Sequence, residues 1–200
     1  MAEKRKDQIV KKATILFSKS GYDKVSIKEL AAACMISEAA LYRHFDSKQS
    51  IYDAVLDSAQ HRISSEELFA RLRQESDLEV ILGETASFLI DILRKNDDLY
   101  RLLLYSALRG DLRAKEMYIS VRGRFIEFVK SQIERFAELG LLYEIEPFIT
   151  ARCFIGSVLD CALGLNLWRG IDQHTISPAE AVANNIPIYA RGLIKSKKSK

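Results

Sequence analysis

Hydrogen-bond donors collect in one short stretch near the amino terminus, from Ser37 to Lys48. Leu41 and Phe45 stand four residues apart, which places them on one face of a helix and predicts that they face a core. The other face carries side chains that donate hydrogen bonds, namely Tyr42, Arg43, His44 and Lys48. Such donors suit phosphate oxygens, so the stretch is a candidate for nucleic-acid binding.

Two serines add to this chemistry because each precedes a predicted short helix. Ser26 is followed three residues later by Glu29, which is the spacing of a capping box, and Ser37 opens the next helix in the same way. Helix amino ends present backbone N–H groups that bind anions readily. Two short helices joined by a tight turn behind a supporting helix can lay a recognition helix in the major groove, although any small helical bundle could show this periodicity.

The composition predicts helices throughout. The 200-residue chain has nine glycines and three prolines, and its apolar content of 48% is enough for a sizeable core. Ile9, Ala13, Leu16 and Phe17 form an apolar stripe that predicts a first helix over residues 3–20, and Gly21 supplies its stop. The fourth helix, capped by Asp46 or Ser47, is expected to reach about Arg73. Pro187 should kink or divide the last helix. The later helices are expected at 77–95, 97–109, 112–139, 147–169 and 178–194, which gives an all-α fold of about nine helices.

Charge is unevenly distributed along the chain. Residues 1–50 hold ten Lys and Arg against six Asp and Glu, a net charge of +4, and the other 150 residues hold 20 against 21, a net charge of −1. A basic leading segment suits a small nucleic-acid module, although a solvated helix face could carry the same excess. Lys4, Arg5 and Lys6 could reach a minor groove, but a disordered basic arm is the expected structure.

Other classes of function lack their sequence signals. There is no Gly-rich phosphate loop, His-Glu-x-x-His pair or Gly-x-Ser-x-Gly elbow, so an enzyme is not expected. Cys153, Cys161 and His174 lack zinc-ligand spacing, and neither a metal nor a cofactor is expected. The three cysteines are expected to be buried, reduced thiols, with redox sensing as the alternative. No apolar run approaches the roughly 20 residues that cross a bilayer, so a cytoplasmic protein is expected.

The same amino-terminal residues carry a family resemblance. The stretch from Ile9 to Tyr22, the segment from Ser26 to Ala31, and Leu41-Tyr-Arg-His-Phe followed by Ser47-Lys48 resemble the TetR/AcrR family of bacterial regulators. The resemblance covers about residues 9–56, and several motif pieces occur in order at the right spacing. It implies a helix-turn-helix DNA-binding domain over 4–58 and a helical effector-binding and dimerisation domain over 59–196.

The resemblance also implies roles for individual residues. By position, Tyr42, His44 and Lys48 would contact backbone phosphates, with Ser26 and Ser37 assisting. The base edges would be faced by Glu38, Ala39, Ala40 and Arg43. Tyr42 could also simply pack, and Lys48 could be a solvated charge.

Three positions depart from the family pattern. Met35 stands where a turn glycine is usual, so the turn must avoid a left-handed conformation or bear its cost of about 1 kcal/mol. Glu38 and Ala40 replace the more usual lysine and threonine, which removes a phosphate attraction and a hydroxyl. A glutamate at position 38 could accept a hydrogen bond from a cytosine amine.

The resemblance implies that the body binds a small molecule and that its last two long helices pair with a second subunit. Candidate effector contacts are Phe88, Tyr105, Arg124, Phe128, Asp160 and Trp168. Gly156, Asp160 and Gly164 recur at four-residue spacing, which suits either close dimer packing or a cavity wall.

The resulting hypothesis is a homodimeric transcriptional repressor that a small-molecule effector releases from double-stranded operator DNA. The alternative is a helical small-molecule-binding or interaction protein whose DNA recognition has degenerated, as the residues at positions 35, 38 and 40 suggest.

Overall fold

The computed structural model describes residues 2–166 and 176–195, and it is helical almost throughout. The predicted all-α fold with an amino-terminal helix-turn-helix is confirmed. Within the described residues the chain forms ten helices: α1 Ala2–Ser20, α2 Ile27–Ala33, α3 Glu38–Tyr42, α4 Lys48–Arg62, α5 Glu66–Leu72, α6 Leu78–Lys95, α7 Asp97–Leu108, α8 Leu112–Glu138, α9 Pro147–Asn166 and α10 Pro178–Leu193.

The predicted long fourth helix is divided in two. α4 ends at Arg62, and α5 begins four residues later, after Ile63 and Ser65 have both been buried. Ser65 directly precedes α5, but its buried hydroxyl forms no hydrogen bond, so a side-chain cap does not explain the break. The apolar spacing continues across the break, which is why periodicity alone predicted one helix.

Lys4, Arg5 and Lys6 lie within α1, so the expectation of a disordered arm was wrong. α10 continues through Pro187 from Pro178 to Leu193, so the proline does not divide the helix, and a kink at Pro187 stays a prediction.

The contacts divide the chain into two compact units, and the first contains residues up to 64 together with 96–121. In it, α1 packs against α2, α4 and α7. Ile9, Ala13 and Phe17 of α1 are fully buried, which confirms the predicted apolar stripe. Phe17 also contacts Tyr22 and Tyr52, with ring centroids 5.6 and 5.8 Å away. This aromatic cluster fixes the start of α4 against α1.

The second unit contains residues 65–95 and the described residues from 122 onward. Here α6 packs against α9 and α10. An aromatic cluster joins α5, α6 and α8: the Phe69 ring stacks on Phe128 at 4.1 Å between centroids, and Phe125 lies 5.4 Å from Phe69 and 6.2 Å from Phe88. Leu142 forms an isolated antiparallel bridge with Ile194, the residue after α10.

α9 departs from the expectation that no apolar run is long enough to cross a bilayer. Its stretch Pro147–Leu165 has a mean hydropathy of 1.6, and 33% of it is buried. By length and composition alone, this stretch could cross a membrane. Arg152 and Asp160 lie within this stretch, and both are exposed. A single helix of this kind is weak evidence for membrane insertion, since an apolar helix that packs against protein has the same composition.

Met35 closes α2 in a backbone conformation that favours glycine. Its φ is +54°, and the other described residues with clearly positive φ are Gly21, Gly110 and Gly140. The backbone N–H of Met35 donates to Ala32 and that of Ile36 donates to Ala31, both at 3.0 Å, which is the hydrogen-bond pattern of a Schellman helix end. The turn therefore bears the cost of the left-handed conformation.

Met35→Gly is expected to raise the free energy of unfolding by about 0.5–1 kcal/mol. Removing Cβ relieves about 1–2 kcal/mol of strain, and the extra freedom of glycine in the unfolded chain offsets part of that gain. Denaturant unfolding measures the change. Gly110→Ala is the matched control, because Gly110 closes α7 with the same pattern at φ +91° and has open space around its Cα. It should destabilise by about 1 kcal/mol, and equal signs for the two variants would contradict the strain argument.

Candidate nucleic-acid interface

Ser26 positions α2 through a capping box, as predicted. Its Oγ accepts from the backbone N–H of Glu29 at 3.2 Å, and its own backbone N–H donates to Glu29 Oε2 at 2.7 Å. The hydrogen bonds that the carboxylate accepts from the Ser26 backbone N–H and, secondly, from the Ser26 hydroxyl lower the pKa of the Glu29 carboxyl. The Ser26 hydroxyl also donates to Glu29 Oε2 at 2.8 Å, so a phosphate would compete with Glu29 for that proton.

Ser37 and Leu41 set the position of α3. The Ser37 Oγ accepts from the backbone N–H of Ala40 at 3.1 Å, which caps the first turn. Leu41 is fully buried, and it is the buried side chain of this five-residue helix. A helix this short does not persist alone, so Leu41 and the cap hold it in place.

The opposite face of α3 is open to solvent. Glu38, Ala39, Tyr42 and Arg43 are exposed, while Ala40 and His44 are half-buried. Of the four residues expected to face base edges, three are thus exposed, and the half-buried one has a methyl side chain. The carboxylate of Glu38 suits the positive end of the helix dipole but repels phosphate.

Lys48 begins α4 and is anchored on the preceding turn. Its Nζ donates to the carbonyl oxygen of Asp23 at 3.3 Å and lies 4.3 Å from the centroid of the Tyr22 ring. The cation is half-buried between these groups. The helix itself is capped by Ser47, whose Oγ accepts from the Ser50 backbone N–H at 3.0 Å, so Ser47 and not Asp46 fills the predicted capping role.

Sequence reasoning missed a set of polar contacts that fix α4 within the first unit. The Tyr52 hydroxyl donates to Asp111 Oδ2 at 3.0 Å, and burial raises the pKa of Tyr52 to about 12. Arg113 at the start of α8 forms ion pairs with Asp53 and with Asp57, the latter at 2.7 Å. Asp53 and Asp57 lie four residues apart on α4. Only the fold brings them to Arg113, which is about 60 residues away in the sequence.

A second polar contact ties the α1–α2 turn to α7. Arg109 lies 3.4 Å from the carboxylate of Asp23, and its guanidinium also donates to the Tyr105 hydroxyl at 3.1 Å. The Tyr105 ring lies against Gly21, where an added Cβ would be 3.3 Å from Cε1. Tyr105, an expected effector contact, therefore packs beside the helix-turn-helix.

The other effector candidates among the described residues lie in the second unit. Phe88 and Phe128 belong to its aromatic cluster, and Phe128 is buried. Asp160 is exposed, and Arg124 is half-buried. Trp168 lies outside the described residues.

A cleft in the second unit opens between α6, α9 and α10. Its empty volume is about 290 Å³, including open solvent. The lining is mostly apolar, and the Tyr189 hydroxyl donates to Ser157 Oγ across it at 3.1 Å. The lining residues are Ala86, Ile90, Phe154, Ser157, Val158, Cys161, Ala181, Val182, Asn185, Ile186 and Tyr189. These lining residues come from three separate helices, so no short-range pattern in the sequence predicts that they share a cleft.

The three cysteines are free thiols. Cys34 is buried as expected, but Cys161 is half-buried and Cys153 is exposed, so the expectation of burial was wrong for two of them. Across residues 2–166 and 176–195, no group of three His, Cys, Asp or Glu is placed to hold a metal ion.

Known proteins match this chain most closely at its amino terminus. Residues 9–55 match the sequence profile of the family described as bacterial regulatory proteins, tetR family. The biofilm operon icaADBC HTH-type negative transcriptional regulator IcaR of Staphylococcus aureus is 48% identical over 48 residues, which are 24% of this chain and 26% of IcaR. The chain thus spans about a quarter of the length of this relative.

Solved structures extend the similarity over the whole fold. NalD of Pseudomonas aeruginosa, the secondary repressor of the MexAB-OprM multidrug efflux pump, has a TM-score of 0.71 at 23% identity, over 98% of this chain and 100% of NalD. AibR in complex with isovaleryl coenzyme A and operator DNA has a TM-score of 0.69 at 20% identity, over 92% of this chain and 97% of AibR.

The fold and the site define an all-helical protein with a helix-turn-helix at its amino terminus. Residues 9–55, which contain this helix-turn-helix, match the tetR family of bacterial regulatory proteins. The family resemblance of the segment from Ile9 to Val55 is therefore confirmed.

Proposed function

We propose that this protein is a transcriptional repressor that binds operator DNA as a homodimer and is released by a small-molecule effector. One observation carries the proposal: α3 is capped by Ser37 and anchored by Leu41, and it leaves its polar face open within a segment that matches the family. IcaR is a negative transcriptional regulator, NalD is a repressor, and AibR has been solved with an effector and operator DNA. The sequence similarity to IcaR and the fold similarity to NalD and AibR support the same class of activity here.

In this proposal α3 enters the major groove. Glu38, Ala39, Ala40 and Arg43 face base edges, while Tyr42, His44 and Lys48 contact phosphates together with the capped ends at Ser26 and Ser37. A dimer of such units reads successive major grooves roughly 34–36 Å apart.

The second subunit is proposed to pack on α9 and α10. The apolar stretch of α9 is only one-third buried, and α10 exposes Ile188 at 65%. Apolar surface of this extent is usually covered in the assembled protein. Gly164 has open space where a Cβ would stand, so another helix can approach α9 closely there. Sedimentation of the purified protein should give a mass twice that of the 22.7 kDa chain, and a monomer would contradict this part of the proposal.

The effector is proposed to be a small, largely apolar molecule bound in the second unit. The cleft between α6, α9 and α10 offers an apolar lining with a few polar groups, as small-molecule sites do. The effector contacts proposed from the sequence remain Phe88, Tyr105, Arg124, Phe128, Asp160 and Trp168. Effector binding would favour a conformation that spoils simultaneous docking of two recognition helices, and this lowers operator affinity. The protein is proposed to be cytoplasmic and not an enzyme.

Selection of bound duplexes from a random library tests DNA binding directly. Purified protein should enrich a two-fold symmetric site, and fluorescence anisotropy on that site should show affinity that falls steeply with salt. Compounds that fit the cleft should lower this affinity. The alternative, a small-molecule-binding or interaction protein with degenerate DNA recognition, is motivated by Met35, Glu38 and Ala40, and it predicts no duplex affinity at any salt concentration.

Glu38→Ala is expected to change the preferred base at one position of the site. The exposed Glu38 carboxylate can accept a hydrogen bond from a cytosine amine, so its loss should relax a cytosine preference by a factor that corresponds to about 1–3 kcal/mol. Comparison of the sequences enriched by both proteins measures the effect. Ala39→Ser, on the same exposed face, is the control, and unchanged preferences at every base in Glu38→Ala would discard this contact.

A further inference from the structure

The first three turns of α1 carry an exposed group of cations. The side chains of Lys4, Arg5, Lys6, Lys11 and Lys12 are all exposed. None of them forms an ion pair with a carboxylate of the described residues, and Arg5 instead donates to the amide oxygen of Gln8 at 2.8 Å. We call this group the α1 basic surface. Its positive charge is therefore not neutralised by ion pairs among the described residues.

Contacts within the first unit place the α1 basic surface beside the helix-turn-helix. The Lys6 Nζ lies 5.7 Å from the centroid of the Phe45 ring, and Phe45 comes three residues after the end of α3. Burial raises the pKa of the Cys34 thiol, and the positive charges of Lys12 and Arg5 oppose that shift. Cys34 ends α2 immediately before the turn.

Phe45 comes three residues after α3, so its contact with Lys6 places the first turns of α1 beside the segment that follows the recognition helix. Arg5 and Lys12 are seven residues apart, which puts them on one face of α1. Lys4 to Lys12 covers roughly 12 Å of helix, a length that matches about three or four phosphates along one strand of duplex DNA.

We propose that the α1 basic surface is a second phosphate-binding site, which holds the duplex backbone beside the groove that α3 enters. The inference rests on the proposed DNA binding, but it assigns contacts outside α2, α3 and the start of α4. This second site also offsets the repulsion between the duplex phosphates and the Glu38 carboxylate on the recognition helix. The α1 basic surface supplies the missing attraction from a neighbouring helix, without sequence preference.

The test uses the full chain with the triple change Arg5→Ala, Lys6→Ala and Lys12→Ala. Its matched control has the same change in net charge at exposed lysines elsewhere, Lys19→Ala, Lys95→Ala and Lys115→Ala. Lys19 is in the last turn of α1, at the opposite end of the same helix. Operator affinity is measured by anisotropy from about 50 to 200 mM salt, and thermal unfolding checks that each variant is folded.

The triple variant should bind the operator and an unrelated duplex more weakly by a similar factor. Its plot of log affinity against log salt should be shallower than that of the wild type by about 2 to 3, since each lost phosphate contact removes roughly 0.9 from the slope. The control should change the slope by less than 1.

Three results would overturn the inference, and they differ in what else they remove. If the slopes of the triple variant and the control agree, the α1 basic surface is not a phosphate site, while DNA binding through α3 still holds. A change in the preferred bases would show contact with base edges and not with the backbone. If the wild type has no duplex affinity at low salt, the proposed function fails together with this inference.

Discussion

Replacing Leu41 with alanine should lower the free energy of unfolding by about 2–5 kcal/mol and remove tight operator binding. Leu41 is fully buried and anchors a helix of only five residues, so the change leaves a cavity beneath α3. Once the anchor is weakened, the single cap at Ser37 cannot hold so short a helix in register. Denaturant unfolding and anisotropy on the selected duplex measure the two effects.

Glu38→Ala is the control for Leu41→Ala because it alters an exposed position on the same helix. Its stability should stay within about 0.5 kcal/mol of the wild type. The two variants therefore separate loss of an anchor from loss of a contact with a base. Wild-type stability in Leu41→Ala would mean that α3 is held by its cap alone.

Phe125→Ala should lower the free energy of unfolding by about 3–5 kcal/mol. Phe125 is fully buried in α8, and its ring meets Phe69 edge-on at 82° and lies 6.2 Å from Phe88. Truncation removes both ring contacts and leaves a void at the centre of the second unit's aromatic cluster. The change is measured by denaturant unfolding.

Phe125→Leu is the conservative comparison. It keeps most of the volume and loses the ring geometry, so a smaller loss of about 1 kcal/mol is expected. The ratio of the two losses reports how much of the stabilisation is volume and how much is aromatic contact. Equal losses would contradict the packing argument, because the cavity would then contribute nothing.

Leu41→Ala and Phe125→Ala should differ in their functional effect because the two residues lie in different units. Leu41 belongs to the unit that contains the helix-turn-helix, whereas Phe125 belongs to the unit that contains the proposed effector cleft. If Phe125→Ala remains folded at low temperature, its operator affinity should be closer to the wild type than that of Leu41→Ala. Its response to an effector should be weaker.

Local signals in the sequence predicted the helix-turn-helix well. The Ser26 and Ser37 caps, the end of α1 at Gly21 and the apolar stripe of α1 all depend on residues within about four positions of one another. Those interactions form in whatever fold the chain adopts, and the structure confirms each of them. At Met35 the sequence left two alternatives, and the structure selects the left-handed turn.

The break between α4 and α5 was less predictable, since the apolar spacing continues past Ser65. The contact of Tyr52 with Asp111 and the ion pairs of Arg113 join residues far apart in the chain. No short-range pattern specifies which of many carboxylates an arginine will meet.

The amino-acid sequence by itself determined the helices, their caps and the family of the amino-terminal domain, because backbone preferences and short motifs act between near neighbours. Only the tertiary structure decided which side chains share the second unit's aromatic cluster and cleft. It also decided that Lys6 is the cation of α1 that lies over the Phe45 ring. Those choices depend on packing and charge between distant segments, whose energies exist only once the chain has folded.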